Sequence, residues 1–201
     1  VGAGMEALVD AALVGSETAV RVGVWLGRAH YQVGFHQTAT AGTFGATLAC
    51  ARLMGLDAGR TVTALGLSAS LASGLKAQFG TDAKPLHAGL AARSGVEAAL
   101  WAAAGVTAGA EALSGPQGFG ATHHGAAAEA AFDGLGETWA FPEVSHKFHA
   151  CCHGLHATLE ALAGASAEGV EAVRVETHPR WLSVCDQKAP VTGLGTKFSY
   201  T

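Results

Sequence analysis

The stretch Pro85-Leu86-His87-Ala88-Gly89-Leu90-Ala91-Ala92-Arg93-Ser94-Gly95-Val96-Glu97-Ala98-Ala99-Leu100-Trp101-Ala102-Ala103-Ala104 decides the fold class. Proline suits the first turn of a helix, where its missing N–H has no partner to lose. Gly105 suits the position just past a helix end. Between them alanine dominates, the strongest helix former. Its small side chain also lets a second helix come close. The reading is a helix over 85–104, packed tightly against other helices.

The segments on either side read the same way. Towards the N-terminus, Thr40–Met54 is a small-residue helix, with Gly42, Gly45, Ala46 and Ala49 permitting close approach and Gly55 ending it. Asp57 can cap a helix over Ala58–Gly74. Met5–Leu26 carries Leu8, Ala12, Val20 and Val24 roughly on one face. Towards the C-terminus a short helix is expected over Ala108–Leu113, a loop over 115–120, and a further helix over His123–Phe132. The character changes at Phe141-Pro142. Phe148–Ala163 reads as helix. Val173, Val175 and Thr177 then alternate with Arg174, Glu176 and His178, the period of a half-buried strand over 170–177. The expected fold is mainly α: a large all-helical domain over residues 1–142, then the start of a smaller α/β unit over 143–201.

Charged residues are 14% of the 201, against about a quarter in ordinary globular domains, while hydrophobic residues are 49%. Such a chain buries a large core or interface and is not disordered. The net charge of -4 and the lack of a basic tract argue against nucleic acid as a partner. The charge-free run between Arg28 and Arg52 is broken by His30, Gln32, Gly34, His36 and Gln37, whereas a membrane span needs about 20 mainly apolar residues. Neither a membrane association nor a signal peptide is expected. Four cysteines without a paired motif suggest a reduced, cytoplasmic compartment. The chain starts at Val1 without a Met and ends on the apolar stretch Phe198-Ser199-Tyr200, so a segment of a longer polypeptide is expected.

Three stretches can carry chemistry. Lys84 precedes Pro85 and is expected to have an extended, fixed backbone. A lysine so placed can bind a carboxylate or act as a base. His36, in Gly34-Phe35-His36-Gln37-Thr38-Ala39-Thr40, leads into a helix whose N–H groups, with the hydroxyls of Thr38 and Thr40, can hold a carboxylate while the imidazole moves a proton. Locally, a hydrogen-bonded core or capping histidine is the favoured reading. Lys147 opens His146-Lys147-Phe148-His149-Ala150-Cys151-Cys152-His153-Gly154-Leu155-His156. There His149/His153 and Cys152/His156 have the spacing of one helix face. That spacing suits a metal, but no second ligand pair supports it, and none is expected.

Together the three motifs, Gly34–Thr40, Lys84-Pro85-Leu86-His87-Ala88-Gly89, and Lys147-Phe148 with Cys152 and His156, resemble the MmgE/PrpD family. That family includes 2-methylcitrate dehydratase, cis-aconitate decarboxylase and iminodisuccinate epimerase, and the resemblance runs over nearly the whole chain. It implies a helical domain, a smaller α/β lid, an active site in the cleft between them, a homodimer, and chemistry without metal or organic cofactor. By resemblance the catalytic residues are His36, Lys84 and Lys147, with Thr38, Thr40 and His156 on a small polycarboxylate substrate. The family's acidic motif has no counterpart here. Gln37 stands where proline is common in the family, a change that bears on substrate choice. Gly195-Thr196 stands where Glu-Ala is commoner.

The expected function is that of a dehydratase-like lyase acting on a small di- or tricarboxylate by abstraction of a proton α to a carboxylate. An epimerase (an isomerase of an iminodisuccinate-like dicarboxylate) and an inactive, truncated interaction module are the alternatives.

Overall fold

The computed structural model describes residues 2–200. Its first long element, α1 (Met5–Val33), continues past the expected end at Leu26 and is broken at Gly27, whose φ of 67° and ψ of -165° only glycine adopts at little cost. The Gln37 side-chain amide donates to the carbonyls of Gly23 and Gly27 beside this break, at 3.1 and 3.2 Å. Gln37 thus braces the kink in α1.

Helix α2 (Gln37–Leu53) lies along α1, and its glycines explain how closely. A Cβ on Gly45 would stand 2.5 Å from the Gly15 carbonyl oxygen and 2.8 Å from the Ala19 Cβ, so no other residue fits without moving α1. Helix α3 (Ala58–Ser68) is capped by Asp57, whose carboxylate accepts from the Arg60 amide at 2.8 Å. It ends before the expected Gly74, in turns. Helix α4 (Ala83–Ala103) starts two residues before the expected proline, and it is long and alanine-rich as read. Lys84 is therefore helical rather than extended. Pro85 still falls in the first turn, where it costs no hydrogen bond.

The chain divides into two compact units: residues up to Ala77 together with Pro85–Val144, and Gln78–Lys84 together with the segment from Ser145 onward. In the first unit Val22, Trp25 and Leu26 of α1 meet Ala41 and Phe44 of α2, Ala72, and Phe119 of α5 (Phe119–Thr122). The Phe44 and Phe119 rings pack edge to face at 5.1 Å. An ion pair is buried against this core. Arg21 donates to Glu17 at 2.5 Å, and to the carbonyls of Ala131, Asp133 and Thr138. Glu17 accepts in turn from the amides of Ala140 and Phe141. These bonds fasten 131–141, a stretch with little regular structure, onto α1.

Several expected elements did not form. Residues 108–113 are turns, too short a run to hold a helix alone. Over 123–132 the left-handed backbones of His124 (φ 54°) and Ala127 (φ 49°) break the helix, leaving a 3-10 turn at Glu129–Phe132. In the second unit the helix expected from Phe148 begins only with a 3-10 turn at His153–Leu155 and α6 (His156–Leu162). The strand expected over 170–177 is extended chain without a ladder partner, and Val170, Val173 and Val175 are exposed. Alternation describes a face, but a strand needs a neighbour to pair with. Among the described residues the pairing is limited to two isolated antiparallel bridges, Phe35 with Leu75 and Asp186 with Ser199. The fold is thus mainly α, and among the described residues the second unit's pairing is confined to the Asp186–Ser199 bridge. That unit is built on short helices α6, α7 (Pro179–Leu182) and α8 (Gly193–Thr196), the last capped by the Thr192 hydroxyl at 3.0 Å. No helix among the described residues is long and apolar enough to cross a membrane.

Candidate active site

In the first unit the chain leaves α1, makes the single bridge between Phe35 and Leu75, and enters α2 at His36. His36 is the N-cap residue. Its carbonyl accepts from the Ala39 and Thr40 amides, and its own amide donates to the Gly74 carbonyl at 3.0 Å. The backbone is tied on both sides, which fixes the direction of the imidazole. That ring meets His87 of α4, Nδ1 to Nδ1, at 2.9 Å, with both residues about 6% exposed.

An Nδ1–Nδ1 hydrogen bond has one proton between two nitrogens, so one ring donates and the other accepts. Two imidazolium rings would both be donors and would break it. The bond can therefore form in the neutral pair or with one added proton, but not with both rings protonated. In the sequence His87 is a lower-ranked neighbour of Lys84, and its bond to His36 depends on tertiary structure.

Thr40 is fully buried, and its hydroxyl is 2.8 Å from His30 Nε2. His30 Nδ1 lies 2.6 Å from the His123 carbonyl, which can only accept. His30 thus carries its proton on Nδ1 and takes the Thr40 hydroxyl proton on Nε2. The ring stacks on Phe35 at 4.6 Å, which braces the loop before His36. Thr38 is exposed.

Burial is the largest influence on both His30 and His123, and it holds each below its ordinary value of 6.5. The folded state resists protonation of both rings while the unfolded chain does not. Their contribution is complete above pH 6.5 and is lost as pH falls towards their lowered folded values. Urea midpoints should therefore drop between roughly pH 7 and pH 5, with a shallower drop in His30→Leu.

In the second unit the cations gather. Lys84 Nζ lies 5.6 Å from the Phe79 ring centre and 5.5 Å from that of Phe198, and the two rings are 5.2 Å apart. Burial, the largest influence, lowers the Lys84 ammonium below its ordinary value. Repulsion from Lys147 and Lys197 adds to this, and attraction to the Cys152 sulfur opposes it. Lys147 is exposed and donates to the Cys151 carbonyl at 2.9 Å. Lys197 was missed in the sequence. Its carbonyl takes the Cys152 amide at 2.9 Å, which anchors the Cys152 loop beside α8.

Cys152 is pushed down to about 6. Its largest cause is the hydrogen bond from the Cys185 thiol, with the Gly154 amide and the charges of Lys147 and Lys84 adding to it against burial. Cys185 is correspondingly pushed up, first by that same bond and then by burial. His156 is 7% exposed, and its Nε2 is buried without a hydrogen-bond partner. Such a group costs about 1–3 kcal/mol until something fills it. His149, one of the histidines spaced for a metal, instead pairs with Glu160 at 2.5 Å.

The MmgE/PrpD N-terminal domain matches residues 1–131, and the chain belongs to the MmgE/PrpD family. It is similar to the human cis-aconitate decarboxylase, 37% identical over 87 residues, which is 43% of this chain and 18% of that protein. It is also similar to a cis-aconitate decarboxylase-like protein of Aspergillus oryzae, 32% identical over 173 residues, which is 81% of this chain and 36% of the relative. The matched segments thus span well under half the length of these relatives.

Proposed function

We propose that the full-length protein is a lyase acting on a small di- or tricarboxylate, with dehydratase-like chemistry. The observation that carries this reading is the buried His36–His87 pair, an imidazole relay with room for a single extra proton. His36 removes the proton α to a carboxylate, its charge is shared with His87, and the electron pair forms the C=C bond as hydroxide leaves. The departing hydroxide takes up a proton and leaves as water. Lys84 and Lys147 hold the substrate carboxylates and stabilise the enediolate-like charge. The vacant hydrogen-bonding capacity of His156 supports a substrate contact there, and the exposed Thr38 is a second candidate. Thr40 is assigned instead to His30.

Two further parts of the reading follow. The protein works in the cytoplasm as a homodimer. Leu86, Leu90, Val96, Leu100 and Trp101 support the dimer, since all are exposed on α4.

The test is turnover of 2-methylcitrate, cis-aconitate and iminodisuccinate by the full-length protein and its Lys84→Ala variant. Elimination or decarboxylation by the wild type and a loss of about 10²–10³-fold in Lys84→Ala, at unchanged Tm, is the expected result. Proton exchange without elimination would point to an epimerase. No turnover of any of the three would favour an inactive module, and wild-type turnover in Lys84→Ala would remove Lys84 from the mechanism.

A further inference from the structure

The thiols of Cys152 and Cys185 are not needed for the proton chemistry above, yet they are built into one another. Cys152 sits in the loop before His153–Leu155, partly accessible, and Cys185 lies just after α7, 1% exposed. The two segments are locked together. Trp181 of α7 packs directly under Gly154, where a Cβ would come within 2.8 Å of the indole. The Tyr200 hydroxyl holds the Gly154 carbonyl at 2.7 Å, and the Cys185 amide is fixed on the Trp181 carbonyl at 2.7 Å. Between the locked segments the Cys185 S–H donates to the Cys152 sulfur. The packing of Gly154 on Trp181 thus brings the Cys152 and Cys185 segments together, and the Cys152 sulfur also receives the Gly154 amide within the fields of Lys147 and Lys84.

We propose that Cys152 and Cys185 form a hydroperoxide-responsive thiol pair, in which Cys152 is the site of oxidation and Cys185 resolves it to a disulfide. The Cys152 thiolate attacks the peroxide, one oxygen is transferred as the O–O bond breaks, and sulfenic acid forms with release of hydroxide (an alcohol, from an organic peroxide). The Cys185 sulfur then displaces the sulfenic hydroxyl. The S–S bond forms, the Cys185 proton leaves with the hydroxyl as water, and the peroxide supplies the whole oxidising equivalent.

The local electrostatics fit this order. The cations, the amide and the Cys185 S–H favour the anion at Cys152, the form that reacts. Cys185 is held protonated chiefly by its bond to that anion. Oxidation of Cys152 removes the anion and frees Cys185 to attack. Cys151 is the nearest competitor, but burial and the neighbouring Cys152 charge raise its thiol, and that thiol turns towards the Cys152 carbonyl at 3.5 Å.

The experiment treats the protein with hydrogen peroxide, blocks remaining thiols with N-ethylmaleimide, and maps disulfides by peptide mass spectrometry. A Cys152–Cys185 linkage reversed by dithiothreitol is expected, with Cys50 and Cys151 still alkylated. In Cys185→Ser, Cys152 should stop at the sulfenic acid and be captured by dimedone. Independently of any variant, iodoacetamide at neutral pH should label Cys152 at least about 10-fold faster than Cys50. The proposal is overturned by a Cys151–Cys152 linkage in place of the expected one, by four alkylatable thiols after peroxide, or by Cys152 labelling no faster than Cys50.

Discussion

Glu17→Gln should destabilise the protein by about 3–5 kcal/mol, the cost of leaving a buried charge without its partner. Arg21 is 5% exposed, and its guanidinium donates four hydrogen bonds, to Glu17 and three carbonyls. Neutralising Glu17 leaves that cation facing dipoles alone. It also weakens the bonds from Ala140 and Phe141 that fasten the stretch beyond Ala131 to α1. Urea denaturation checks the value. The double replacement Glu17→Met with Arg21→Met should also be destabilised, because it removes both charges but leaves the carbonyls of Ala131, Asp133 and Thr138 and the amides of Ala140 and Phe141 without these partners. Acid acts on the same pair. Burial is the largest single influence on the Glu17 carboxyl and pushes it up, but the bonds from Ala140, Arg21 and Phe141 together outweigh it and hold the group below 4.5. Its contribution is therefore complete above pH 4.5 and is lost as pH falls through the lowered folded value.

His36→Gln is expected to lower kcat of the full-length protein by about 10²–10⁴-fold, the range of a positioned acid–base group. Glutamine keeps a polar side chain at the N-cap, and the backbone ties of residue 36 to Gly74, Ala39 and Thr40 do not involve the ring, so Tm should hold. His87→Gln should give a smaller loss. His87 positions His36 and shares its proton, so this variant should displace the pH–rate profile while KM stays near the wild-type value. Equal losses in kcat and a fixed pH profile would make His87 merely structural.

Much of the helical unit was legible because its signals are local. Ala-rich runs, Asp57 as a cap and the glycines of α2 each act within one turn or one contact, and α2 and α4 stand within three residues of their expected bounds. The misses lie where local pattern needs distant support. The valines of 170–177 alternate without a partner strand, and His123–Phe132 carries no glycine or proline at the left-handed His124 and Ala127 that break it. Glu17 and Arg21 carry no local sign of burial, since nothing near them in sequence announces that 131–141 folds over them. The candidate site was legible only in its motif residues. His87 needed its bond to His36, Lys197 its proximity to Lys84, and Cys185 its contact with Cys152, all of which depend on tertiary structure. That Gln37 braces the kink at Gly27 was not legible either, because the kink lies ten residues earlier in the chain.

Proton NMR in D₂O, with full-length protein and each candidate polycarboxylate, measures the proposed proton removal itself. Loss or deuteration of the C–H α to a carboxylate in the wild type, abolished in His36→Gln, is the predicted result. Exchange or elimination at the wild-type rate in His36→Gln would contradict the assignment of proton transfer to His36.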